Sequence, residues 1–127
     1  VRNEPEAGEE RGVVINISSG AAYEAQIGQV AYAASKAALL GMNMPAAREL
    51  GDVGIRVNAI APGYIETNNT EALRADVARN KAILERIPAG RWGHSEDIAG
   101  AAVFLASPAA DYVHGAILNV DGGWLAR

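Results

Sequence analysis

Tyr32 and Lys36 stand four residues apart in the alanine-rich stretch QVAYAASKAALLGM, a spacing that could support proton transfer. Residues at i and i+4 lie on the same face of a helix, so both side chains can reach one site. An ammonium group near a phenol favours the phenolate, which makes a tyrosine usable as an acid and a base near neutral pH. In isolation this spacing is more often an ordinary, partly exposed helix pair, so the surrounding elements decide between the two interpretations.

Such a pair can act on a substrate only if a strand and a helix present it at one edge of a sheet. Apolar runs predict strands at 12–19, 55–62 and 115–123. Helical periodicity and end signals predict helices at 30–50, at 70–88 and from a Ser95 cap to Pro108. This alternation predicts a parallel α/β sheet with right-handed crossovers. The almost continuous apolar run of the first strand predicts cover on both of its faces.

The predicted elements are fewer than a complete nucleotide-binding domain needs. Three strands are few for a doubly wound sheet, and no G-x-G-x-x-G turn follows the first of them. We therefore expect residues 1–127 to form a single partial domain. This would be the C-terminal half of a Rossmann-like doubly wound parallel sheet, and the N-terminal dinucleotide-binding half would lie outside this chain.

Composition and charge argue against several kinds of function. Hydrophobic residues make up 50% of the 127, and the net charge is −4 from 11 basic and 15 acidic side chains scattered along the chain. That distribution offers no basic surface for nucleic acid or for an anionic membrane. No apolar run approaches the roughly 20 residues of a membrane helix, so we expect a soluble, cytoplasmic protein. The absence of cysteine excludes disulfides, and the isolated His94 and His114 predict no metal site.

Three motifs together resemble those of the short-chain dehydrogenase/reductase family. Ser19, Tyr32 and Lys36 form Ser-x12-Tyr-x3-Lys on a strand end and the helix that follows it. The stretch NAIAPGYIET at 58–67 and the closing VDGG at 120–123 come in the family's order and spacing. The resemblance covers nearly the whole chain, and the set is far more specific than Tyr-x3-Lys alone.

The resemblance implies an oxidoreductase that interconverts a secondary alcohol and a ketone, with Ser19, Tyr32 and Lys36 as catalytic residues. Tyr32 would take or return the hydroxyl proton while a hydride moves to or from a nicotinamide. Ser19 would hydrogen-bond the substrate oxygen as its charge changes. Ser18 competes for this role, but neighbouring side chains on a strand point to opposite faces, and the 13-residue step to Tyr32 selects Ser19.

Cofactor residues and partners are implied by the same resemblance. Lys36 would also hold the nicotinamide ribose, and the backbone after the Pro-Gly turn would contact the carboxamide. The implied cofactor-binding residues are Tyr32, Lys36, Pro62, Gly63, Ile65 and Thr67. Thr67 could instead simply cap a helix. The cofactor is expected to be NAD, with NADP not excluded, and the long helix to lie at a subunit interface of a homo-oligomer, in particular a homotetramer. The 127 residues alone are expected to be inactive.

The two halves of the chain resemble different subfamilies, which leaves the small-molecule substrate open. Residues 1–60 are similar to short-chain 3-hydroxyacyl-CoA dehydrogenases, whereas the part from Gly63 on is similar to 2-deoxy-D-gluconate 3-dehydrogenases. In the family, residues 66–92 form a lid over the substrate, so we favour a sugar acid. The lid arginines that could meet its carboxylate are Arg74, Arg79, Arg86 and Arg91. The alternatives are an acyl-CoA substrate, or a truncated, non-catalytic chain that acts only through assembly with other subunits.

Overall fold

The computed structural model of the protein describes residues 10–24 and 26–126. Three parallel strands form one sheet in the order β1 (Gly12–Ile17), β2 (Ile55–Pro62), β3 (Ile117–Val120). The helices are α1 (Val30–Gly51), α2 (Glu71–Ala75), α3 (Val77–Arg86) and α4 (Ser95–Ala106). Short 3-10 turns lie at Gly20–Ala22, Asn68–Thr70, Pro108–Ala110 and Trp124–Ala126. The predicted parallel α/β class is confirmed, and β2 has the predicted bounds.

Several predicted boundaries were wrong, each for a local reason. The expected helix over 70–88 is two helices, because Asp76 leaves the helical region at ψ 106 and its carboxylate accepts the Arg79 N–H at 3.0 Å to start α3. Ser95 is not the cap of α4. His94 holds that position, and its N–H donates to Asp97 Oδ2 at 2.7 Å. The strands expected over 12–19 and 115–123 are shorter at their ends.

The central strand β2 carries the core. Ile60 is completely buried, and it forms a cluster with Leu105 of α4 and Ala110. The edge strand β1 is less well covered than its apolar run predicts, because Val14 is 40% exposed and Ile17 43% exposed. The prediction of a strand covered on both faces is therefore not met within the described residues, where β1 has only β2 beside it.

Two polar side chains tie the strands to their surroundings. Asn58 of β2 is completely buried, its Nδ2 donates to the Val113 carbonyl at 2.8 Å, and its Oδ1 accepts the Ala116 N–H at 2.9 Å. His114 Nδ1 accepts the Val57 N–H at 3.1 Å, so the ring proton must be on Nε2, which donates to the Ala47 carbonyl at 2.6 Å. These contacts fix the segment before β3 against β2 and α1.

We expect Asn58→Ala to lower the free energy of unfolding by about 3 kcal/mol, because it leaves a buried N–H and a buried carbonyl without partners. The exposed Asn119 on β3 is the matched control, and Asn119→Ala should cost less than about 0.5 kcal/mol. Urea unfolding followed by far-UV circular dichroism measures both. Equal transition midpoints for the two variants would contradict the structural role of Asn58.

Candidate active site

Ser19 and Tyr32 line a single cavity of about 380 Å³ at the carboxyl ends of the strands. Ser19 follows β1, and Tyr32 lies in the first turn of α1 with 48% of its surface exposed. The cavity walls come from the loop between β1 and α1, the turn after β2, the start of the lid and the C-terminal turn. The lining residues are Ser19, Gly20, Ala21, Gln26, Gly28, Gln29, Tyr32, Pro62, Gly63, Tyr64, Asn69, Thr70, Leu73 and Trp124.

Lys36 stands beside this cavity, one helical turn after Tyr32. Its Nζ donates to the Ile17 carbonyl at the end of β1 over 3.0 Å, and it lies 5.8 Å from the centroid of the Tyr32 ring. The ammonium is thus held between the strand end and the ring. The i and i+4 spacing on α1 therefore places this positive charge next to the phenol, as the helical pattern predicts.

The adjacent serines have different surroundings. Ser18 is only 2% exposed, and its Oγ donates to the Lys36 carbonyl at 2.7 Å. Ser19 lines the cavity, and its Oγ accepts the Ala21 N–H at 3.2 Å, which opens the following 3-10 turn. Ser18 therefore joins β1 to α1, while the Ser19 hydroxyl faces the cavity.

The structure brings together only some of the expected cofactor-binding residues. Pro62 and Gly63 line the same cavity as Tyr32. Ile65 instead lines a neighbouring cavity of about 330 Å³. Thr67 is exposed at the start of the Asn68–Thr70 turn, where its N–H donates to Thr70 Oγ1 at 3.0 Å.

Gly63 is required by a close approach of two backbone segments. Its N–H donates to the Val120 carbonyl at 3.0 Å, and a Cβ added at this position would lie 2.7 Å from Asp121 Cα. The Asp121 carboxylate accepts the N–H groups of Gly123 and Leu125 at 2.8 and 3.0 Å. The Pro-Gly motif and the Val-Asp-Gly-Gly motif are therefore parts of one packed unit.

Three of the four arginines in residues 66–92 make side-chain hydrogen bonds within the protein. Arg86 pairs with Glu24, and Arg74 donates to the Thr67 carbonyl at 3.2 Å. Arg91 donates to both Asp97 oxygens, at 2.8 and 2.9 Å. These hydrogen bonds hold the pKa of the Asp97 carboxyl well below its usual range, and the backbone N–H of His94 acts in the same direction. Among the residues found to line the cavity there is no arginine.

Sequence reasoning missed several lining residues. Tyr64 directly follows the Pro-Gly turn and Trp124 directly follows Val-Asp-Gly-Gly, so their places beside motifs could have indicated them. Tyr64 contacts Trp92 and Trp124 edge-on, at centroid distances of 5.3 and 4.6 Å. No comparable signal marks the remaining polar lining residues, Gln26, Gln29, Asn69 and Thr70.

Ligands of doubly wound α/β sheets bind in a crevice at the carboxyl ends of the strands, which is where the cavity with Ser19 and Tyr32 lies. A family model described as "Enoyl-(Acyl carrier protein) reductase" matches residues 2–125. The chain therefore belongs to this family, within the short-chain dehydrogenase/reductases.

Relatives of the chain include both sugar-acid and acyl-carrier enzymes. It is 57% identical over 116 residues to the 2-dehydro-3-deoxy-D-gluconate 5-dehydrogenase of Bacillus subtilis strain 168, covering 91% of this chain and 46% of that protein. Identity to the 3-oxoacyl-(acyl-carrier-protein) reductase of Vibrio harveyi is 46% over 112 residues, covering 88% and 45%. The chain thus spans about half the length of the curated relatives it matches.

A solved structure with the same fold carries a bound cofactor. It is an Agrobacterium tumefaciens protein provisionally named a 2-deoxy-D-gluconate 3-dehydrogenase, with NADP bound. The match has a TM-score of 0.90 and 69% identity, and it covers 94% of this chain and 48% of that one. Helices long and apolar enough to span a membrane, and clusters of His, Cys, Asp or Glu able to hold a metal, are both absent from residues 10–24 and 26–126.

We expect Ser18→Ala to lower the free energy of unfolding by about 1 kcal/mol, because it removes a buried hydrogen bond between β1 and α1. Ser35→Ala is the control, since Ser35 Oγ donates to the Tyr32 carbonyl over the same 2.7 Å but on the exposed face of α1. This control should change stability by less than about 0.5 kcal/mol. If chemical denaturation gave the two variants the same midpoint, burial of the Ser18 hydrogen bond would add nothing to the free energy of unfolding.

Proposed function

We propose that this chain is the substrate-side half of an NAD(P)-dependent oxidoreductase that interconverts a secondary alcohol and a ketone on a sugar acid. The observation that carries the proposal is the meeting of Ser19 and Tyr32 on one cavity, with the Lys36 ammonium 5.8 Å from the tyrosine ring. The complete protein that would contain this chain is called the parent enzyme below.

Tyr32 is the proton donor and acceptor in this proposal. Its hydroxyl takes the proton of the substrate alcohol in oxidation and returns it to the carbonyl oxygen in reduction. Lys36, fixed by the Ile17 carbonyl, stabilises the phenolate through its charge. Because Tyr32 is half exposed at the cavity, its hydroxyl is accessible to a substrate without rearrangement of α1.

Ser19 holds the reacting oxygen. Its hydroxyl can rotate, because the one hydrogen bond that the structure assigns to its Oγ is accepted from the Ala21 N–H. The hydroxyl proton therefore remains available to donate to a substrate oxygen. This donation stabilises the oxygen as negative charge develops on it.

The residues present fit the nicotinamide end of a dinucleotide. Pro62 and Gly63 line the same cavity as Tyr32, and Lys36 lies 5.8 Å from the Tyr32 ring, whereas Ile65 lines the neighbouring cavity and Thr67 lines neither. When bound, the cofactor supplies or accepts the hydride. NADP in the Agrobacterium neighbour supports a nicotinamide cofactor for the parent enzyme and leaves the choice between NAD and NADP open. No glycine-rich phosphate turn occurs in these 127 residues, so the pyrophosphate would be held by other parts of the parent enzyme.

The cavity walls combine apolar residues with polar side chains that a hydroxylated substrate could use. Gln26 and Tyr64 bind each other and Thr70 Oγ1 donates to the Ile65 carbonyl, whereas the amide groups of Gln29 and Asn69 belong to lining residues with no such contact described. These uncharged groups can donate to and accept from several substrate hydroxyls at once. The sugar-acid name of the Bacillus relative supports this class. The alternative is an acyl thioester, which the Vibrio reductase and the description of the family model favour.

The proposal includes a small-molecule substrate, a cytoplasmic location and assembly of identical subunits. Helix α1 leaves Val30, Met42 and Met44 exposed by 83%, 49% and 67%. Exposed apolar side chains of this size favour burial against other subunits in an assembly. A chain that acts only through such assembly, with no catalysis, is the alternative function.

In the parent enzyme, Tyr32→Phe should lower kcat by at least about 10²-fold, because the ring remains and the transferable proton is lost. Tyr112→Phe is the matched control, since Tyr112 is fully exposed and does not line the cavity. Steady-state oxidation followed by nicotinamide absorbance measures both. Unchanged kcat in Tyr32→Phe would remove the proposed acid and base from the reaction.

The parent enzyme should turn over a six-carbon sugar acid with a higher kcat/KM than a 3-hydroxyacyl-CoA or a 3-oxoacyl thioester. A sugar acid offers hydroxyls to the Gln29 and Asn69 amides among the lining residues, which an acyl chain does not. Competition between the two substrate classes at equal concentration measures the preference. The reverse order would favour the acyl alternative.

A further inference from the structure

Glu24 makes a three-way contact just behind the cavity wall. Its Oε2 accepts the Trp124 indole N–H at 2.6 Å, and its Oε1 accepts from Arg86 Nη2. Arg86 in turn stacks on the indole, with its Cζ 3.9 Å from the ring centroid. Each of the three side chains therefore contacts the other two.

The three residues come from distant parts of the chain. Arg86 is 62 positions and Trp124 is 100 positions from Glu24. Glu24 lies on the loop between β1 and α1, Arg86 ends the second lid helix α3, and Trp124 starts the C-terminal turn. Each of these segments lies in or next to a different wall of the cavity, so the contact fixes the walls relative to one another.

An exposed ion pair would contribute little, but this one is partly buried and has a third member. The Glu24 side chain is 21% exposed and the Arg86 side chain 43% exposed. Exposed pairs commonly contribute little to stability, because solvent screens the two charges. Here the same carboxylate also satisfies the indole N–H of Trp124, which is only 6% exposed, and the guanidinium lies over the ring at 3.9 Å.

A second contact joins the β1–α1 loop to Tyr64, which directly follows the Pro-Gly turn. Gln26 Nε2 donates to the Tyr64 hydroxyl at 3.3 Å, and the Tyr64 ring packs edge-on against Trp124 at 4.6 Å. The β1–α1 loop is therefore attached to the Tyr64–Trp124 pair through two side chains, the uncharged Gln26 and the charged Glu24.

We propose that Glu24 is a positioning residue that determines substrate affinity by holding the β1–α1 loop against the lid and the C-terminal turn. This inference rests on the proposed oxidoreductase function. Glu24 and Arg86 are not among the residues found to line the cavity, so the proposed role acts through the residues they hold. Ser19, Tyr32 and Lys36 are held by β1 and α1, so loss of Glu24 changes the shape of the walls more than the reacting groups.

In the parent enzyme, Glu24→Ala should raise KM for the sugar acid about tenfold, change kcat less than about threefold and leave KM for the nicotinamide cofactor unchanged. Arg86→Gln should have a similar effect, and the double variant should be no worse than the poorer single variant, because both belong to one unit. Lys81→Gln is the control: it breaks the exposed 3.8 Å pair with Glu85 on the same helix and should leave every constant unchanged.

The outcomes separate this role from a merely structural one. If Glu24→Ala lowered only the thermal midpoint or kcat and left KM for the substrate unchanged, the positioning role would be overturned. The Trp124 indole N–H resonance, identified by its loss in Trp124→Phe, should shift in Glu24→Ala, and no shift would overturn the contact itself. Absence of turnover in the unmodified parent enzyme would instead overturn the proposed function, and with it this inference.

Discussion

The carboxyl edge of the sheet depends on one close backbone approach, between Gly63 after β2 and Asp121 after β3. The Gly63 N–H reaches the Val120 carbonyl at 3.0 Å, and there is no room for a Cβ because Asp121 Cα would lie 2.7 Å away. Such a gap can be closed only by a residue without a side chain. The same contact holds Gly63, which lines the cavity, and starts the turn in which Trp124 lines it too. One contact therefore fixes both lining residues relative to each other.

Polar groups that hold the scaffold are mostly separate from polar groups that face the cavity. Ser18 and Asn58 are buried, and each makes hydrogen bonds to backbone groups of another segment. Buried polar groups require such partners, and these partners keep the groups out of any reaction. Tyr32, by contrast, is half exposed, and Ser19 keeps a donor available. Lys36 belongs to both groups, because its Nζ binds the end of β1 while its charge lies beside the Tyr32 ring.

The parts of the fold that were predictable from sequence are those specified by neighbouring residues. Helix α1 and strand β2 were placed correctly because an apolar or alanine-rich run ends at glycine or proline. The break at Asp76 was missed because Leu73 and Val77 keep helical spacing on either side of it. A hydrophobic pattern cannot reveal one residue with an extended ψ angle. The proximity of Ser19, Tyr32 and Lys36 could be predicted from the sequence because these residues are close together along the chain. The contact of Glu24 with Trp124 spans 100 residues, and no spacing rule reaches that far.

In the proposed function, this difference between local and distant contacts separates reaction chemistry from substrate choice. Ser19, Tyr32 and Lys36 are fixed by one strand end and the helix that follows it, so their geometry survives changes elsewhere. The walls come from three segments that meet only through side chains such as Glu24, Gln26 and Trp124. A substitution in any one of these segments can move a wall while leaving the proton donor in place. The proposed substrate specificity therefore depends on contacts between distant residues, and the proposed reaction depends on a short local motif.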